Sequence, residues 1–95
     1  MMRVGVLEVR LDLYGIRSLK EKRGVVKSLL AKVRNRFELA VAEVAHQEDL
    51  GRAGLGFSCV GNDVALLQSR LSKALDFIDA SGHGVIGDHH LDIID

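Results

Sequence analysis

Proline and tryptophan are absent from this 95-residue chain, and cysteine occurs once. A lone Cys59 excludes an intramolecular disulfide, and its place between Ser58 and Val60 in an apolar run reads as a small buried side chain in a reducing, cytoplasmic compartment. Aromatic residues are scarce too. Tyr14, Phe37, Phe57 and Phe77 are all there are, and three of them read as core, so the stacking platform of an RNA-recognition sheet is missing and any RNA contact would be to backbone or shape. No apolar run nears the ~20 residues of a membrane-spanning helix, and Arg3, Glu8, Arg10 and Asp12 interrupt the apolar stretch a signal peptide would need, so no membrane partner is expected. Gly5, Gly15, Gly51, Gly54, Gly56 and Gly61 form neither a GxGxxG fingerprint nor a Walker loop, which leaves a nucleotide cofactor without a seat.

What is present patterns well. Apolar residues make up 47% and charged residues 27%, close to the average for folded proteins, and a chain of this length can bury roughly 60 to 65% of its unfolded surface in one core. One domain, residues 1–95, is predicted. From Val4 to Tyr14, Leu7, Val9, Leu11 and Leu13 alternate with Glu8, Arg10, Asp12 and Tyr14, the period of a half-buried strand. Ser18 with Glu21 three residues later is a capping-box signature that starts a helix over 18–37, in which Leu19, Val26, Leu29, Leu30, Val33 and Phe37 share an arc of about 100°. Residues 38–46, ELAVAEVAH, read as a second strand, QEDLGRAG as a loop, and LGFSCV (55–60) as a third strand. Asn62 and Asp63 offer turn and N-cap chemistry before a second amphipathic helix carrying Val64, Leu67, Leu71, Ala74, Leu75 and Ile78; SGHG ends it, and VIGDHHLDIID supplies a fourth strand. The order βαββαβ with right-handed crossovers predicts an α+β, ferredoxin-like sandwich: a four-stranded antiparallel sheet with two helices on one face. Its other face stays open, and Val4 and Val6 on that face are candidates for a homodimer or partner interface.

Net charge is zero, yet residues 1–37 hold ten Lys/Arg against three Asp/Glu, and residues 38–95 hold three against ten. Seven of the cations, with only Glu21 against them, fall in SLKEKRGVVKSLLAKVRNRF, residues 18–37. On the helical wheel Lys20, Arg23, Lys27 and Arg34 lie within about 60° beside the apolar arc, while Lys32 and Arg36 lie on its other side. A stripe of cations suits a run of phosphates, which release counterions when neutralised. The competing reading is a solvated helix whose charge is balanced by Glu48, Asp49, Asp76 or Asp79.

Other groups are weaker candidates. Asp88, His90 and Asp92 share a strand face next to His89, but one element rarely fills a coordination sphere, and a polar end strand also guards a sheet edge, so no metal is expected. Glu43 inside AVAEV is a possible general base if buried, with His46 and His83 as further candidates, while Cys59 and Ser58 lack an adjacent base. No catalytic set and no cofactor is expected. A small acylphosphatase-like hydrolase would use Gly15 and Arg17 after the first strand, but the GxVQGVxFR pattern of that family is missing.

The run S-L-K-E-K-R-G-V-V-K-S-L (Ser18 to Leu29), followed by Arg36-Phe37 and by V-A-E-V (Val41 to Val44), resembles the YlxP-like family of small uncharacterised bacterial proteins. The resemblance covers residues 4 to about 62 well and the remainder by pattern. It implies a ferredoxin-like fold, a cytoplasmic location, and a gene neighbourhood of transcription-termination and translation-initiation factors and a ribosome-binding factor, which points the basic stripe towards RNA or a ribosomal particle. The family motif carries over to Ser18, Leu19, Lys20, Lys22, Arg23, Lys27, Ser28, Phe37 and Glu43, whereas Leu50 stands where relatives often have tryptophan. Ser18, Leu19, Leu29 and Phe37 have structural explanations. Lys20, Lys22, Arg23 and Lys27, with Arg34, are therefore the expected nucleic-acid contacts.

Overall fold

In the computed structural model, which describes residues 1–95, the alternating N-terminal stretch becomes β1 (Arg3–Leu13), followed by α1 (Leu19–Phe37), β2 (Ala40–Ala45), β3 (Arg52–Gly61), α2 (Val64–Asp79) and β4 (Gly84–Ile94). The four strands form one antiparallel sheet in the order β2-β3-β1-β4, so the first and third strands are central and each βαβ unit crosses over a neighbour. This is the ferredoxin-like arrangement anticipated from the element order. Leu7, Val9 and Leu11 of β1 and Ala53, Leu55, Phe57 and Cys59 of β3 face the helices, where they meet Val26, Leu29 and Val33 of α1 and Leu67, Leu71, Ala74 and Ile78 of α2. Each fully buried Leu or Ile in this layer contributes about 1.5–3 kcal/mol relative to an exposed position.

The helices begin where their caps dictate. Ser18 is extended and its hydroxyl accepts a hydrogen bond from the Glu21 N–H at 3.1 Å; the Asp63 carboxylate accepts from the Leu66 N–H at 3.2 Å. α1 ends at Glu38, whose left-handed backbone (φ 56°) turns the chain directly into β2.

β3 starts three residues earlier than the sequence pattern suggests, at Arg52 instead of Leu55. Arg52, Ala53 and Gly54 pair with Asp12, Leu11 and Arg10, and the Leu13 N–H donates to the Gly51 carbonyl at 2.9 Å. Gly54 resembles a loop residue only in isolation. A Cβ built there would lie 2.6 Å from that of Ala45 and 3.0 Å from its carbonyl oxygen, so this glycine lets β2 and β3 approach at the bulge between Glu43 and Ala45.

The two sheet edges differ. β4 presents Asp88, His89, His90 and Asp92, all exposed, and carries an irregularity opposite Val9 to Leu11. The guanidinium of Arg10 lies over Gly87 there, bonded to Asp12 (3.1 Å) and Asp88 (3.3 Å), and the Asp12 carboxylate above all holds its pKa above the ordinary arginine value. β2, six residues reading AVAEVA, has no Lys, Arg or Pro on its free edge.

Candidate nucleic-acid interface

The stripe on α1 follows from helical periodicity: the arc that packs Val26, Leu29 and Val33 against the sheet turns Lys20, Arg23, Lys27 and Arg34 outward together. All four are exposed. The ion pairs of the protein are Arg3–Asp95, Arg10–Asp12, Arg10–Asp88, Lys22–Glu43 and Arg52–Asp49, so none of the four has a carboxylate partner. The acidic residues that could have balanced the stripe do other things. Asp49 accepts from the Gly51 N–H at 2.8 Å and from Arg52 at 2.9 Å, which holds its carboxyl below the ordinary carboxylate range, and Glu48, Asp76 and Asp79 pair with no cation. On the opposite flank Arg36 stacks over Phe37 and Phe77, 5.8 and 5.3 Å from the ring centroids, and the two rings meet edge to face at 5.7 Å.

Between α1 and the β2 edge runs a groove of about 410 Å³. Arg23, Lys27 and Arg34 form its helical rim; Val26, Leu30, Ala31 and Val41 make an apolar floor, and Glu43 enters from β2. Glu43 pairs with Leu55 in the sheet register and so points to the helix side, the orientation that the alternation of AVAEVA left open.

Lys22 departs from expectation. It is 1% exposed and cannot reach a phosphate on the surface. Its Nζ donates to the backbone carbonyl of His46 and lies 3.2 Å from Oε2 of Glu43, an ion pair without hydrogen-bond alignment. His46 takes the left-handed conformation (φ 60°) at this point, a backbone cost that the charge-assisted bond to its carbonyl offsets. The helical wheel contains the signal: Lys22 falls inside the apolar arc, between Leu29 and Val33, at about 20° from each. A lysine in an apolar arc needs a buried acceptor, and the only carboxylate in β2 supplies it.

Val4 and Val6 are half-buried on the open face of the sheet, where Val4 is flanked by the exposed Val60 of β3 and Ile94 of β4. His46, His89 and His90 line one surface groove with Glu8, Arg10 and Asp88, without forming a ligand cluster. His90 pairs with Glu8 on the open face and His89 with Val9 on the other, and no three His, Cys, Asp or Glu side chains are placed to hold a metal ion. Gly15 is left-handed (φ 60°) and Arg17 exposed, but none of the larger surface grooves is lined by residues 15–17. No helix is long and apolar enough to cross a membrane.

The family model for "Protein of unknown function (DUF503)" matches residues 4–90. The chain belongs to the DUF503 family. The matched span runs from the second residue of β1 through α1, β2, the groove, β3 and α2 into β4, and stops four residues before that strand ends. A relative within reach of sequence comparison is the uncharacterized protein YlxP of Bacillus subtilis (strain 168), 32% identical over 77 residues that cover 81% of this chain and 84% of that one. Among solved structures, the structured domain of Boca from Drosophila melanogaster superposes with a TM-score of 0.58 at 15% identity, covering 92% of this chain and 95% of that one. The de novo designed protein Foldit4 gives 0.57 at 10% identity, with coverage of 100% and 98%. At these identities the two structures speak to the fold alone. For this DUF503 chain the functional reading therefore comes from its own surface.

Proposed function

We propose that the protein is a non-catalytic module that associates with RNA or a ribosomal particle through α1, with Lys20, Arg23, Lys27 and Arg34 contacting phosphates. The observation that carries the reading is the absence of any carboxylate partner for these four exposed cations, although the chain as a whole is neutral. Like charges one turn apart, such as Arg23 and Lys27, repel by about 0.2–0.5 kcal/mol, and a bound polyanion would turn that repulsion into attraction. From Lys20 to Arg34 the stripe spans about 21 Å of helix axis at 1.5 Å per residue, the reach of several consecutive phosphates.

Retention of RNA and ribosomal particles across a salt series tests this. Four contacts to a single strand give a log–log slope of about −3, at roughly 0.7 per contact. Changing Lys20, Arg23, Lys27 and Arg34 to Glu should abolish retention and leave the melting temperature nearly unchanged, because none of the four packs in the core. Retention that survives the charge reversal would reduce the stripe to a solvated face.

A second reading rests on a different surface. Val4, Val6, Val60 and Ile94 form an apolar patch on the open sheet face, which supports a homodimer or a protein-binding role independent of α1.

A further inference from the structure

We infer that the groove between α1 and β2 seats the ribose of a single-stranded RNA, with Glu43 accepting a hydrogen bond from its 2′-hydroxyl, so that the site distinguishes RNA from DNA; this rests on the phosphate reading of the α1 stripe. A carboxylate is out of place in a groove that binds phosphate. Here it is fixed: Oε2 is fully buried against Lys22, and the side chain keeps 19% exposure, which leaves Oε1 and the methylenes as the part that lines the groove. No donor in the protein bonds to either oxygen. With Arg23, Lys27 and Arg34 on the helical rim and Glu43 on the β2 side, a bound strand has one orientation free of like-charge contact. Its phosphates run along the rim and its hydrogen-bond donors face β2.

The floor decides which donors. Val26, Leu30, Ala31 and Val41 are aliphatic; Phe57, the register partner of Val41, is buried in the core, and Phe37 and Phe77 are packed on each other under Arg36. Base recognition in single strands relies on aromatic or guanidinium planes for stacking; no aromatic ring lines this groove, and its two guanidinium groups, Arg23 and Arg34, lie on the rim that the phosphates take. A ribose needs no such platform. Its carbon face suits an aliphatic floor, it recurs at every nucleotide whatever the base, and its 2′-hydroxyl is the donor that DNA lacks. Lys22 acts here as a positioning residue, holding the carboxylate toward the groove without touching the ligand.

The test is fluorescence anisotropy of the full chain with three labelled twelve-nucleotide probes: oligo(rU), its 2′-O-methyl form and oligo(dU). The expected result is salt-dependent binding of all three, with oligo(rU) tighter than the other two by about tenfold, the order expected for one hydrogen bond to a charged acceptor. In the double variant Lys22→Met/Glu43→Leu, which removes both charges together, the three affinities should become equal while the salt dependence remains. Glu43→Gln, which keeps the side-chain volume and a weaker neutral acceptor, should give an intermediate ratio. Equal affinities in the wild type, or discrimination that persists in the double variant, would overturn the ribose assignment and leave the phosphate stripe intact. No salt-dependent binding of any probe would remove both.

Discussion

At the scale of single residues, Lys22 separates from the other cations of α1 because its environment differs. Lys20, Arg23, Lys27 and Arg34 keep their charge in water; Lys22 is fully enclosed and depends on one carboxylate and one backbone carbonyl. Breaking a buried pair from one side leaves a charge without compensation, at a cost of about 3–5 kcal/mol, whereas replacing both partners with apolar side chains is often neutral or stabilising. Glu43→Ala should therefore lose stability on that scale, because the ammonium left behind has no access to water. Lys22→Met should lose less, since Glu43 keeps partial exposure. The combination Lys22→Met/Glu43→Leu should recover most of the loss. Urea denaturation of the four proteins measures the coupling, and additive losses would show that the pair is not a unit. The signal was present but misread: the wheel puts Lys22 in the apolar arc, yet the sequence reading counted it among the phosphate contacts, while AVAEV did show a carboxylate in an apolar strand. Their partnership was not legible, because it spans 21 positions and depends on which way β2 faces.

Among the elements, α1 carries one internal position that packing does not explain. Gly24 sits mid-helix, exposed, and a Cβ built there meets nothing within 4 Å. Glycine in a helix interior costs about 0.5–1 kcal/mol relative to alanine, through the entropy it loses on folding. Gly24→Ala should raise stability by that amount and the melting temperature by a few degrees, measured by thermal unfolding; a fall would mean that the backbone of α1 is constrained at this point in a way its contacts do not reveal. The helices were readable because periodicity and caps agree, with Ser18 and Asp63 each accepting the bond their identity suggests. The start of β3 was not. Glycine serves both flexible loops and close backbone approach, and only the neighbouring Ala45 decides that Gly54 belongs to the second kind.

For the molecule as a whole, the opposite charges of the two halves cancel across contacts only in part. Only Arg3, Arg10 and Lys22 among the ten cations of residues 1–37 pair with a carboxylate, and the acids of the second half lie largely on β4 and the loops. Sequence composition could state the asymmetry but not its outcome, because neutralisation depends on which side chains the fold brings within 4 Å. The open sheet face raises the same question for apolar surface. If Val4 and Val6 lie in a homodimer interface, Val4→Asp with Val6→Asp should dissociate it at micromolar concentration by sedimentation velocity, and a wild type that is already monomeric would remove the premise. The chain has five lysines, of which Lys20, Lys27, Lys32 and Lys73 are open to an acylating reagent and Lys22 is not. Acylation of Lys22 must wait for α1 to part from β2, so its rate against the other four clocks how often that seam breathes in the native protein.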